Sequence, residues 1–155
     1  MHIRQQVRNY ISSKLKEIPE LKNSVYESRI HELARKDLPA ALIFSETEMN
    51  EPATRQNKPG IQKRMIETAV YLFATADDEI ENSLDQLSEK VENKVFEDQT
   101  LGGIAVQTVL DNTNLLVGGD SDQPVGASRM SFVTTVLTQQ GESGAPTQQS
   151  GGIFS

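Results

Sequence analysis

Residues 61–96 read IQKRMIETAVYLFATADDEIENSLDQLSEKVENKVF, and the fold turns on how this stretch divides. Period two places Met65, Glu67, Ala69, Tyr71 and Phe73 on one side of Ile61–Ala76 and Ile66, Thr68, Val70, Leu72 and Ala74 on the other. A helix is allowed by composition, but the Val, Tyr, Phe and Thr content and the breaker at Pro59–Gly60 favour a long strand. From Asp77 the period changes. Ile80, Leu84, Leu87, Val91 and Val95 recur at steps of three and four, and Asp77, Asp78 and Glu79 put acid where the helix macrodipole is positive. The segment is therefore a strand followed by an amphipathic helix ending near Phe96.

Working outward, Ile3, Val7, Tyr10, Ile11, Leu15 and Ile18 mark a first helix over roughly residues 2–17, which Pro19 helps to end. Arg4, Arg8, Ser12 and Lys16 lie on its polar side, and the ordinary reading of such a face is solvated surface. Ser24–Arg29 and Ala40–Thr47 have strand character, joined by the charged HELARKDLP connection; the second is apolar enough for a central strand. Glu48–Gly60 has two prolines, one glycine and almost no apolar residues, which predicts a long polar loop, mobile until docked. Beyond the Gly102–Gly103 turn, Ile104–Val117 and Ala127–Thr138 are strands linked by GGDSDQPVG, and Asp111–Asn114 marks a bulge or an exposed break in the first.

The predicted order is α-β-β-β-α-β-β, an α+β class built from a mainly antiparallel sheet with both helices on one face. At 155 residues this is one domain, residues 1–138, followed by a flexible tail over 139–155.

Composition excludes several functions. Cysteine is absent, so there is neither a disulfide framework nor a thiol nucleophile. No run of about 18 apolar residues is present and the N-terminus lacks a signal peptide's apolar centre, which predicts a soluble chain with no membrane partner. The two histidines, His2 and His31, have no partner at metal-ligand spacing, the glycine pairs do not match a phosphate loop, and no nucleophile motif occurs. The acids at the start of the second helix lack calcium-loop spacing. Neither catalysis nor a cofactor or metal is expected.

The charge distribution says more. The net charge of −7 argues against duplex DNA as an electrostatic partner. Residues 1–36 carry eight Lys/Arg against four Asp/Glu, whereas residues 77–98 carry nine Asp/Glu against two Lys. The candidate contact residues are accordingly Arg4 and Arg8 on the first helix, Glu81, Asp85, Glu89 and Glu92 on the second, and Arg55 and Lys58 in the polar loop. Arg4 and Arg8 would meet the acidic helix of a neighbouring copy, or else the two helices lie side by side within one subunit and match internally.

The segments IRQQVRNYISSKL, VYESR, DLPAALIFSETE, TLGGIAVQTVLDNT and SFVTTVLT, in that order, resemble the tail terminator proteins of long-tailed bacteriophages, also called minor tail protein U or tail-completion proteins. The resemblance spans roughly residues 3–138 and carries no catalytic residue. It implies an α+β subunit of a hexameric ring that ends tail-tube polymerisation at the head-proximal end of the tail and offers a surface for head joining. Its partners would be its own copies, the tail tube protein and the connector or neck protein, with genomic DNA only as cargo through the lumen. A neck or head-closure protein and a stand-alone acidic protein-binding module are the alternatives.

Overall fold

A computed structural model describes residues 1–28, 35–53, 60–75, 78–117 and 125–147. The elements are α1 (Ile3–Leu15), β1 (Val25–Tyr26), β2 (Ala40–Pro52), β3 (Ile61–Thr75), α2 (Ile80–Val95), β4 (Gln107–Val117) and β5 (Val125–Gln139), with short 3₁₀ turns at Pro19–Leu21 and Arg35–Asp37. Helices and strands follow the order expected from sequence. The strands form one sheet in the spatial order β1-β2-β3-β5-β4.

The sheet is mainly antiparallel, as expected, with one parallel pairing at its β1 end that the expectation did not include. β1 runs parallel to β2, with Val25 opposite Ala41 and Tyr26 opposite Leu42, and the other pairings are antiparallel. The reason lies in the connection: residues 27–39 are long enough to return the chain to the same end of the sheet, which a two-residue hairpin cannot do.

Both helices pack on one face. Ile3, Val7, Ile11 and Leu15 of α1 and Leu87, Val91 and Val95 of α2 share a core with Ile43 of β2, Ile66, Val70 and Leu72 of β3, and Met130, Phe132 and Val136 of β5. The period-two reading of β3 is what places Ile66, Val70 and Leu72 together, and period 3.6 gives each helix its matching stripe. Burial of this surface, at about 25 cal/mol per Å² of apolar area, is what holds the layers together.

Three local expectations change. Glu48–Pro52 is not loop: it continues β2, pairing Glu48 with Ile66 and Pro52 with Gln62. A polar, Pro-ended segment has little strand signal of its own, and the ladder to β3 supplies what its composition lacks. Arg55, Lys58 and the rest of 54–59 lie outside the described residues. Secondly, Ile104–Val106 precede β4 and do not belong to it. Thirdly, the chain from Gln139 to Thr147 turns back on the domain: Thr147 N–H donates to Leu137 O at 2.7 Å, and Ser143 and Gly144 carbonyls accept from Ile3 N–H and the Gln6 amide. Residues 148–155 lie outside the described part. The Asp111–Asn114 patch does hold a bulge, between Leu110 and Asn112.

The Gly102–Gly103 turn forms as expected, with φ of +72° and +93°. Asp98 organises it, accepting from Thr100 N–H, Thr100 Oγ1 and Gly102 N–H at 2.9, 2.6 and 3.0 Å. The Thr100 hydroxyl first, then these backbone amides, hold the Asp98 carboxyl below its ordinary pKa.

Gly126 shows how closely α2 rides on the sheet. A Cβ there would collide with Ile80 Cγ1 and come within 2.7 Å of Ile80 Cδ1 and 3.3 Å of Leu84 Cδ1. Valine suits a strand by propensity but has no room here. Gly126→Val is expected to destabilise the domain by about 1–3 kcal/mol through overpacking, read as a lower urea midpoint. Ile80→Ala in the same chain should recover part of the loss; no recovery would place the clash elsewhere.

Candidate interaction surfaces

The first surface is the flank of α2. Its core stripe faces the sheet, Lys90 and Lys94 point toward the α1 side, where they pair with Glu20 at 2.7 Å and with Glu17 and Glu97 at 3.6 and 3.2 Å. Glu81, Asp85 and Glu89, spaced by four, occupy the other flank with Glu92. The first three are exposed, Glu92 is partly buried, and none of the four makes an ion pair among the described residues. Ser88, next to this row, meets Ser128 of β5 at 3.3 Å, so the acidic flank overhangs the β5–β4 side of the sheet.

Beneath it lies the edge strand β4, which has no partner on its outer side among the described strands. Leu115 and Leu116 are each 53% exposed and Val109 44%. Because neighbours along a strand point to opposite faces, Leu115 projects on the helix side and Leu116 on the other. An unpaired strand edge flanked by exposed apolar side chains is a template for pairing unless something covers it.

The sheet's second face carries no described helix or strand. Phe44, Tyr71 and Phe73 stack across β2 and β3 with ring centroids 5.4 and 6.1 Å apart. The Arg129 guanidinium lies 5.9 Å from the Tyr71 centroid and bonds to Glu46 at 3.2 Å and Glu67 at 3.1 Å, while Ser131 donates to Glu67. Burial works to lower the Arg129 pKa, but the bonds from Glu67 and then Glu46 outweigh it and hold it above its ordinary value. This face mixes aromatic area with satisfied charge, as protein-binding surfaces do.

Arg4 and Arg8 do not lie free on the outer side of α1. Arg4 contacts Glu48 at 3.4 Å, and Arg8 donates to Ser45 at 2.7 Å and sits 4.0 Å from Glu27. Ser12, next along, is buried. The face expected to be solvated is therefore packed beside β2: Arg4 and Arg8 are partly buried, and Lys16 is exposed. Neither arginine contacts α2, so the two halves of the predicted charge match are not brought together within the subunit. Composition alone does not show this, because Glu48 opens a polar stretch whose own residues read as loop.

Sequence reasoning missed the Glu48–Arg64 pair. The two side chains are each 9% exposed, Arg64 Nη1 reaches Glu48 at 2.9 Å and Arg64 Nε donates to Thr138 Oγ1 at 2.9 Å. The available signal was the alternation in β3, which puts Arg64 in phase with Ile66 and Val70. His2 stands nearby as the cap of α1, its Nδ1 accepting from Arg4 N–H at 3.1 Å; burial, then the Arg4 charge, lowers its pKa, which suits an unprotonated acceptor.

Among the described residues no three His, Asp or Glu side chains converge as metal ligands, and no helix is long and apolar enough to cross a membrane. A cleft of about 350 Å³ lies between α2 and the end of the sheet, lined by Glu20, Leu38, Pro39, Thr75, Ser83 and Lys90. Among the described residues its charged groups are the Lys90–Glu20 pair.

No family model matches the chain, and no curated protein matches it. A solved chain from the virion of a native gene transfer agent particle is similar in structure, with 10% identity and a TM-score of 0.46, over 88% of this chain and 92% of that one. A likeness at that level carries no weight about function.

Proposed function

We propose that this chain is a structural subunit of a long-tailed bacteriophage that forms a ring at the head-proximal end of the tail, ends tail-tube polymerisation and provides the surface for head joining. The observation that carries the assembly role is the one-sided architecture: both helices cover one face of the sheet, while among the described residues no helix or strand covers the aromatic second face and the β4 edge, with Leu115 and Leu116 exposed, has no outer partner. Exposed apolar side chains along an unpaired edge are costly to leave in water and are covered when chains associate. The ordered sequence resemblance to tail terminators supports the position proposed in the virion. In this reading the protein acts by binding and not by catalysis, needs no cofactor, assembles in the host cytoplasm, and has as partners its own copies, the tail tube protein and the connector or neck protein. Its net charge of −7 suits a lumen through which DNA slides without sticking.

The test is a phage lacking this gene, with tails measured by electron microscopy. Overlong tails without heads are expected. Tails of normal length that fail to join heads would move the protein to the connector side, and infectious particles with normal tails would overturn a virion role in favour of a stand-alone acidic binding module.

A further inference from the structure

The charges of the subunit divide sharply into those satisfied within the chain and those left over. Arg4, Arg8, Arg64 and Arg129 all pair internally, as do Lys14, Lys63, Lys90 and Lys94. Lys16, Lys22 and Lys36 are exposed and make no ion pair among the described residues. Lys16 caps the C-terminus of α1, Lys22 stands between the Pro19–Leu21 turn and β1, the first strand in the sheet order, and Lys36 lies in the turn leading into β2, the second. Among the described acids that make no ion pair, which also include Asp78, Asp111 and Glu142, the row Glu81, Asp85, Glu89 and Glu92 marks the opposite side, on the flank of α2 toward the β4 edge.

We infer that successive copies of this chain join side by side across the sheet, the β4–α2 side of one against the β1–α1 side of the next, with the acidic flank of α2 meeting Lys16, Lys22 and Lys36 of its neighbour. The inference rests on the ring reading above and names its contact. The two surfaces are unlike, as a head-to-tail interface that closes by rotation requires. Apolar area lies beside the charge on the β4 side, where Leu115 and Leu116 flank an open strand edge, giving the arrangement of an apolar centre with a charged rim. Three like charges spaced by four along one helix repel each other slightly in the free subunit. A neighbour bringing lysines turns that repulsion into attraction and fixes which edge meets which, since complementary charge governs orientation and partner choice more than affinity.

Two charge-reversed chains test it. One carries Glu81→Lys, Asp85→Lys and Glu89→Lys, the other Lys16→Glu, Lys22→Glu and Lys36→Glu. Oligomer mass is read by native mass spectrometry and sedimentation on free protein and on assembled tails, with circular dichroism as the check on folding. Each variant alone is expected to self-associate about a hundredfold more weakly than the unaltered chain, because both of its sides then carry one sign. An equimolar mixture should assemble, as alternating copies restore opposite charge at every joint. Zero-length carbodiimide coupling of unaltered protein, mixed from isotopically light and heavy copies, keeps the test open if a variant does not fold. Cross-links between copies from Lys16, Lys22 or Lys36 to the α2 acids are expected. Rings that survive both reversals, or cross-links that join other residues, would overturn this contact and leave the ring reading standing. Unaltered protein that stays monomeric both free and in tails would overturn the two together.

Discussion

Glu48→Ala should lower the stability of the folded subunit by about 3–5 kcal/mol, because it leaves the buried Arg64 guanidinium without a counter-charge. Both side chains are 9% exposed, and the pair is joined at 2.9 Å. For a chain of this length each kcal/mol corresponds to roughly 2–4 °C in midpoint, so the thermal midpoint should fall by roughly 6–20 °C. Arg64 retains its bond to Thr138 in this variant, which satisfies a donor but not a charge. Arg4, 43% exposed, loses the same carboxylate but can turn to water, so its share of the loss is small. Replacing both partners, Glu48→Leu with Arg64→Met, should cost much less than either single truncation, since no ion is then left in the interior. A double replacement as damaging as the single one would show that packing, and not the charge, decides the outcome.

The same pair shows where sequence reading stops. α1, α2 and β3 were legible because each is long and strictly periodic: steps of three and four in the helices, alternation in β3. The bulge near Asp111 and the Gly102–Gly103 turn were legible from residue types with one dominant backbone use. Glu48–Pro52 was not, since it holds strand conformation through pairing with Gln62–Ile66 while its own composition is that of a loop. That error hid the partner of Arg4, and with it the fact that the polar side of α1 is engaged by β2. The parallel pairing of β1 was hidden too, because two residues carry no direction in their pattern. The position of the α2 acids on the flank away from the core stripe was legible from helical spacing. Which lysines make no ion pair among the described residues emerges only from the fold, because the partners of Lys14, Lys63, Lys90 and Lys94 are set by packing.

Phe132→Ala is the second large effect expected, a loss of about 3–5 kcal/mol typical of truncating a fully buried aromatic. Phe132 is 0% exposed and sits in β5 between Thr68 of β3 and Leu110 of β4. Its ring also meets Phe96, at the C-terminus of α2, with centroids 5.9 Å apart and planes tilted by 52°. The cavity left by alanine therefore opens at the joint between the edge of the sheet and the helix that carries the acidic flank. Phe96 is 39% exposed, so Phe96→Ala should cost less, mainly the aromatic contact worth about 0.5–1.5 kcal/mol. A double-mutant cycle read by urea unfolding should return a coupling of that size, because the two rings touch and their truncations cannot be independent. Additive losses would mean that α2 is held by its aliphatic stripe alone. If coupling is found, Phe96→Ala should also weaken assembly of the folded protein, since it loosens the end of α2 next to Glu92 while leaving every charge in place. Unchanged self-association in that variant would separate the packing of α2 from its part in joining copies.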